Sequence, residues 1–142
     1  MNLFKKDVFG RSYFIKKWVI RIIGVLSYRR FKGINSLKIT GTKNLKNLPN
    51  NNVLFISNHQ TYFADATAII HVINASLKGR NDNINNIGYI WKPMLNLYFI
   101  AAKETMNNGL LPKILSYAGS IPIERTWRSN GENLKRPVNE DN

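Results

Sequence analysis

Residues 53–66 read Val-Leu-Phe-Ile-Ser-Asn-His-Gln-Thr-Tyr-Phe-Ala-Asp-Ala, and this stretch decides the predicted fold. The four apolar residues at 53–56 predict a strand that is buried on both faces. A helix is predicted to follow, from about residue 63 to residue 77. Because strands and helices also alternate along the rest of the chain, we expect an α/β fold, with a layered mixed sheet flanked by helices.

The segments around this stretch continue the alternation. Residues 36–40 alternate polar and apolar side chains, which predicts a half-exposed strand, and residues 87–90 are a further strand candidate. Residues 110–117 predict a helix that Gly119 ends, and residues 120–123 predict another strand.

His59 and Asp65 are the candidate catalytic pair. His59 follows the carboxyl end of the predicted strand, which is where α/β sheets place their catalytic and ligand-binding side chains. On one continuous helix Asp65 would be rotated by about 240° from His59, so the two side chains meet only if the chain between them loops. A carboxylate that meets the imidazole would fix its tautomer and make it a general base. In the alternative interpretation, Asn58 caps the helix, His59 is merely hydrogen-bonded and Asp65 lies on the surface.

Composition excludes several classes of protein. The 142 residues suit one domain, and 44% hydrophobic residues are enough for a core. Because the chain has no cysteine, it has no disulfide, no zinc–thiolate site and no thiol nucleophile. No apolar run approaches the ~20 residues of a spanning helix, which excludes a polytopic membrane protein.

His71 lies in an apolar helical segment and is interpreted as a packing residue.

Positive charge is concentrated in the N-terminal third. The whole chain has 21 Lys and Arg against 8 Asp and Glu, a net charge of +13. Residues 1–50 contain twelve of the basic residues and only one acidic residue, Asp7, and therefore account for +11. Such a field attracts polyanions, either an anionic membrane surface or nucleic acid.

The helix predicted within residues 12–31 favours the membrane. Lys17 and Arg21 would form a narrow basic seam on an otherwise apolar helix that contains Trp18, which is typical of an interfacial anchor. We therefore predict that residues 1–35 form a basic amphipathic membrane-association segment, which holds the protein peripherally at the cytoplasmic face of a membrane. The cations assigned to this contact are Lys5, Lys6, Lys16, Lys17, Arg21, Arg29 and Arg30. The alternative is an ordinary helix that packs on its own core.

Two sequence blocks stand out: the first is Asn58-His59 followed by Asp65, and the second is Gly119-Ser-Ile-Pro-Ile-Glu-Arg125. Together they resemble the first two blocks of the glycerophospholipid acyltransferases, particularly the lysophosphatidate (1-acyl-glycerol-3-phosphate) acyltransferases. The stretch from residue 92 to residue 104 is similar to the region between the family's blocks. The resemblance covers roughly residues 36–128 and implies a glycerol-3-phosphate acyltransferase-like fold.

The resemblance also implies roles for the residues of the two blocks. His59 would be the general base on the free hydroxyl of a lysophospholipid, and Asp65 would orient it. Arg125 would hold the acceptor's phosphate, and Asn58 and Gly119 would be further substrate-binding residues. The acyl donor would be a thioester of coenzyme A or acyl carrier protein. No metal or other cofactor is implied, and we expect no nucleic-acid partner.

The chain departs from the family pattern in two ways. Five residues separate His59 from Asp65, where the family has four. The family's third and fourth blocks are not found among the seventeen residues after Arg125. Residues 36–142 are therefore interpreted as the N-terminal part of an acyltransferase domain, cut short at its C-terminal end. The alternatives are an inactive, truncated stub that binds the membrane and a basic nucleic-acid-binding module.

Overall fold

The computed structural model describes residues 5–34, 36–58, 64–103 and 109–123. Three α-helices lie in this part of the chain: α1 (Tyr13–Arg29), α2 (Ala64–Leu77) and α3 (Leu110–Ala118). Two strands, β1 (Phe99–Ala102) and β2 (Ser120–Ile123), form a parallel pair. Shorter helical turns complete the elements: a π-helical turn at Arg30–Ile34 and 3₁₀ helices at Thr42–Leu45 and Ile87–Trp91.

Helix α1 packs against α2, α3 and the 3₁₀ helix Ile87–Trp91. Its buried residues are Lys16, Ile20 and Gly24, which follow one another at intervals of four and therefore lie on one side of the helix. A Cβ atom at Gly24 would lie only 2.6 Å from Cγ1 of Ile90, so glycine lets the two elements approach closely. Ile20 and Phe31 share one core with Ile70, Ala75, Ile84, Tyr89 and Ile90.

β1, α3 and β2 form a parallel strand–helix–strand unit. Phe99 is paired with Ser120 and Ala102 with Ile123, and α3 lies in the connection that a parallel pair requires. Helix α3 ends at Gly119, whose φ of +119° is a conformation that side-chain-bearing residues rarely adopt. The helix over 110–117, its end at Gly119 and the strand over 120–123 are thus confirmed, as are the helices predicted within residues 12–31 and 63–77.

The strand predicted at residues 53–56 is wrong. This segment is extended coil, and Leu54 and Ile56 are 79% and 89% exposed. A strand needs a neighbour for its backbone hydrogen bonds, and in the described part of the chain only β1 and β2 are paired as strands. The α/β class is supported by this one parallel pair with its helices, whereas the larger layered sheet and the acyltransferase-like fold stay predictions.

Two other predicted strands have a different structure. Residues 36–40 do not form a strand, although Leu37 and Ile39 are more buried than their neighbours, as the alternation predicts. Residues 87–91 form a 3₁₀ helix, which begins where the Asn86 side chain accepts a hydrogen bond from the Gly88 amide. This helix buries Tyr89 and Ile90 in the core that also contains α1, so packing against helices replaces the expected strand pairing.

No helix within the described ranges has both the length and the apolar character needed to cross a membrane.

Candidate active site

The first block lies between a coil and a helix. Asn58 is exposed at the end of the coil, and α2 begins at Ala64, with Asp65 in its first turn and partly buried. A carboxylate there is stabilised by the unpaired amides and partial positive charge of the helix N-terminus. His59 falls outside the described residues, as does the rest of the segment 59–63. The predicted contact between His59 and Asp65 therefore stays a prediction, but Asn58 and Asp65 mark the two ends of the segment that contains His59.

The second block begins in the turn between α3 and β2. Gly119 is buried, and its conformation and its contacts with neighbouring atoms both require glycine. Strand β2 carries the block as far as Ile123, and Arg125, which follows two residues later, lies outside the described residues. The carboxyl ends of β1 and β2 lie at the same edge of the sheet, which is where α/β proteins bind their ligands.

An apolar groove of about 260 Å³ lies beside the first block. One wall is the exposed coil, which contributes Phe55, Ile56 and Ser57, and the other wall is α2. The helix side of the groove is lined by Ala68, Ile69, Val72 and Ile73, and Leu45 completes the lining. The groove could not be expected from the sequence, because the apolar run at residues 53–56 predicts a strand buried inside a sheet.

Lys16 is not available to a membrane surface, contrary to its assignment among the membrane-binding cations. The residue is fully buried, and its Nζ donates a hydrogen bond to the carbonyl oxygen of Leu97 at 3.0 Å. The same Nζ lies 3.6 Å from the centre of the Tyr98 ring. Burial lowers the pKa of Lys16 to about 8, a shift that nearby Asp7 partly opposes and Arg11 reinforces. One signal could have revealed this, since Lys16 shares its helix side with Ile20 and Gly24.

His71 is a buried packing residue, as predicted. Its Nε2 lies 2.9 Å from Ser27 Oγ and its Nδ1 lies 2.7 Å from the Tyr89 hydroxyl. Ser27 Oγ donates to the Ile23 carbonyl at 2.7 Å, so it is free to accept from Nε2–H, while Tyr89 donates to Nδ1. Burial lowers the pKa of His71 to about 4, and the imidazole is therefore neutral at pH 7.

Within the described ranges, no three side chains of His, Cys, Asp or Glu come together in a group that could hold a metal ion.

A family model described as Acyltransferase matches residues 36–141, well over half of the chain. The protein therefore belongs to the acyltransferase family, which is the family of the glycerophospholipid and lysophosphatidate acyltransferases. The match includes both sequence blocks and supports acyl transfer as the general activity. No curated protein and no solved structure was found to match the chain.

Proposed function

We propose that the protein transfers a fatty acyl group from a thioester of coenzyme A or acyl carrier protein to the free hydroxyl of a lysophospholipid. The proposed acceptor is 1-acyl-glycerol-3-phosphate and the product is phosphatidate, an intermediate in phospholipid biosynthesis. The observation that carries the proposal is the family match across both blocks, in a chain whose first block lies between an exposed coil and the start of α2.

In the proposed reaction, His59 takes the proton from the acceptor hydroxyl while the hydroxyl oxygen attacks the thioester carbonyl carbon. The carbon–sulfur bond then breaks, and the leaving thiolate recovers the proton that His59 accepted. Asp65 holds the imidazole in the tautomer that can accept this proton. General-base action of this kind contributes about 10²–10⁴ in rate, and the positioning of donor and acceptor contributes much of the rest.

Arg125 is proposed to bind the acceptor's phosphate, because a guanidinium can donate two parallel hydrogen bonds to its oxygens. Asn58 and Gly119 are proposed as further substrate-binding residues; because glycine has no side chain, Gly119 would make its contact through the backbone. The apolar groove beside the first block is proposed to hold an acyl chain, since its lining is almost wholly apolar.

The membrane-association proposal rests on the exposed side of α1. Six large apolar residues on this side are exposed: Phe14, Ile15, Trp18, Ile22, Val25 and Leu26. By helix geometry they cover about 120°, and their centre lies about 180° from that of the buried side. We refer to these six residues as the apolar side of α1. A patch of this kind at the surface of a monomer indicates an interaction site.

Positive charge surrounds the apolar side of α1. Lys5 and Lys6 precede the helix, and Arg29 and Arg30 lie at its C-terminal end; all four are exposed. Arg21 lies at the flank, with its guanidinium carbon 4.9 Å from the Trp18 ring centre and 5.3 Å from that of Trp91. Tryptophan rings are typical of the membrane–water interface. We propose that α1 lies in the surface of an anionic, cytoplasm-facing leaflet, where the lipid acceptor and product reside.

The test is acyl transfer by the purified protein. It is incubated with anionic vesicles that contain 1-acyl-glycerol-3-phosphate and with acyl-CoA or acyl-acyl carrier protein, and phosphatidate and free thiol are quantified. We expect equal amounts of both products, together with vesicle binding that weakens as salt is raised. Vesicle binding without transfer from either donor would favour the inactive stub. Salt-sensitive binding to DNA or RNA, with no affinity for vesicles, would favour the nucleic-acid module.

A further inference from the structure

Two cations from the N-terminal segment reach the turn that precedes β2. Lys16, on the buried side of α1, donates from Nζ to the Leu97 carbonyl at 3.0 Å. Arg11, just before α1, donates from Nη1 to the carbonyl of Ser120 at 3.0 Å and also to that of Ser116. Ser116 is in the last turn of α3 and Ser120 is the first residue of β2, so Arg11 joins the two ends of the turn.

Gly119 leaves the space that Lys16 occupies. A Cβ atom at position 119 would lie 2.6 Å from the Leu97 carbonyl oxygen and 3.1 Å from Lys16 Nζ. The amide of Phe99 donates to the Gly119 carbonyl at 3.1 Å, which joins the turn to the start of β1. The lysine, the carbonyl that it binds and the glycine of the second block thus form one contact.

Asp7 supplies a negative charge to this cluster. It is buried, and its Oδ1 accepts from the Arg11 amide at 2.8 Å, while its Oδ2 accepts from the Tyr98 hydroxyl at 3.3 Å. A buried cation loses solvation free energy, and apolar side chains would fill such a space at lower cost. Of these charged side chains, Lys16 and Arg11 donate to backbone carbonyls at the turn or beside it, and Asp7 holds the Arg11 amide and the Tyr98 hydroxyl.

We propose that Lys16 and Arg11 are positioning residues that hold the α3–β2 turn and β2, the strand that in sequence ends two residues before the proposed phosphate ligand Arg125. The inference rests on the proposed function and adds two residues to it, neither of which is in the matched region 36–141.

Amide hydrogen exchange tests the contact itself, on the whole protein. The variants are Lys16→Met, which keeps the length of the side chain and removes its charge, and Arg11→Met. Lys113→Met is the control, because Lys113 is an exposed lysine on α3. Loss of the charge-assisted hydrogen bonds, one in Lys16→Met and two in Arg11→Met, should make the amides of residues 99–102, 119–121 and 123 exchange at least roughly tenfold faster. The amides of residues 70–76 in α2 should exchange at the wild-type rate in all three variants.

Equal acceleration in α2 and in the strands would show a general loss of stability and would overturn the proposal, as would strand exchange at the wild-type rate. Arg11→Met keeps the test decisive if Lys16→Met does not fold, since Arg11 is partly exposed and makes separate hydrogen bonds.

Acceptor affinity tests the consequence for function. We measure the dissociation constant for dispersed 1-acyl-glycerol-3-phosphate, together with kcat and the KM values for acceptor and donor. Lys16→Met should weaken acceptor binding and raise acceptor KM roughly tenfold, with donor KM and kcat near the wild-type values. Unchanged acceptor affinity in a variant with faster strand exchange would overturn the positioning role. A wild-type protein that binds the acceptor without transferring an acyl group would instead contradict the proposed function alone.

Discussion

Each sequence block is associated with a short segment that is predicted to be a strand, and the two segments differ in structure. Residues 53–56, before the first block, are Val-Leu-Phe-Ile, and they form an exposed coil. Residues 120–123, within the second block, are Ser-Ile-Pro-Ile, and they form β2. The less apolar of the two segments is the strand, because β1 lies beside it and α3 connects the pair.

The difference shows that a strand depends on its partner as well as on its own side chains. Around β2, backbone hydrogen bonds, the Gly119 turn and the cations Lys16 and Arg11 all fix the same few residues. Around residues 53–56, by contrast, no strand lies alongside within the described residues, and the neighbour across the apolar groove is α2.

A matched pair of leucine substitutions should show this difference as a difference in stability. Leu115→Ala removes a side chain that is 4% exposed in α3 and should lower the free energy of unfolding by about 2–5 kcal/mol. Leu54→Ala removes one that is 79% exposed and should change it by less than about 0.5 kcal/mol. Urea denaturation measures both values. A cost for Leu54→Ala comparable with that for Leu115→Ala would mean that residues 53–56 are packed.

The free energy of unfolding should depend on pH through His71, a buried residue of α2. His71 has a pKa of about 4 in the folded protein against an ordinary value of 6.5, so between these values the unfolded chain binds a proton that the folded protein does not. Stability from this group is therefore complete above pH 6.5 and falls by up to about 3 kcal/mol as the pH decreases to 4.

The measurement is the free energy of unfolding of wild type and His71→Gln across this pH range. The difference between the two curves isolates the contribution of His71 from that of the carboxyl groups, which titrate over the same pH range. Two curves that run parallel from pH 6.5 to pH 4 would refute the buried, neutral imidazole.

A comparison of two glycine substitutions separates the energetic cost of an unusual backbone conformation from the cost of close packing at the second block. Gly10→Ala should cost about 1 kcal/mol, since φ at Gly10 is +76° but no atom lies within 4 Å of the new Cβ. Gly119→Ala combines a φ of +119° with a Leu97 oxygen 2.6 Å away, and should cost about 1–3 kcal/mol more. Thermal unfolding gives the two values, and equal costs would show that the turn near Lys16 is loosely packed.

Much of the helical structure could be predicted from the sequence, because its signals are local. Periodic apolar residues give α1 and α2, and Gly119 marks the end of α3. The errors concern long-range partners. Residues 53–56 have strand-like side chains without a strand beside them, and residues 87–91 bury Tyr89 and Ile90 against helices as a 3₁₀ turn.

The sequence identifies the two blocks of the candidate site, but it does not predict how their side chains are arranged in space. Acyl transfer, with roles for His59, Asp65 and Arg125, is what the resemblance of the two blocks implies, and the family match supports acyl transfer as the general activity. The helix side that Lys16 shares with Ile20 and Gly24 indicates its burial, but its partners and its role could not be predicted from the sequence. Its burial depends on the Leu97 carbonyl and on the space left by Gly119, and these groups come together only in the folded chain.

The most direct test of the account is phosphatidate formation by wild-type protein and by His59→Ala under identical conditions. The acceptor is 1-acyl-glycerol-3-phosphate in anionic vesicles, both donor types are supplied, and vesicle binding is recorded in the same samples. We expect His59→Ala to lose at least about 10²-fold in rate and to bind vesicles as the wild type does. A variant that forms phosphatidate at the wild-type rate would remove His59 from the mechanism and refute its role as the general base.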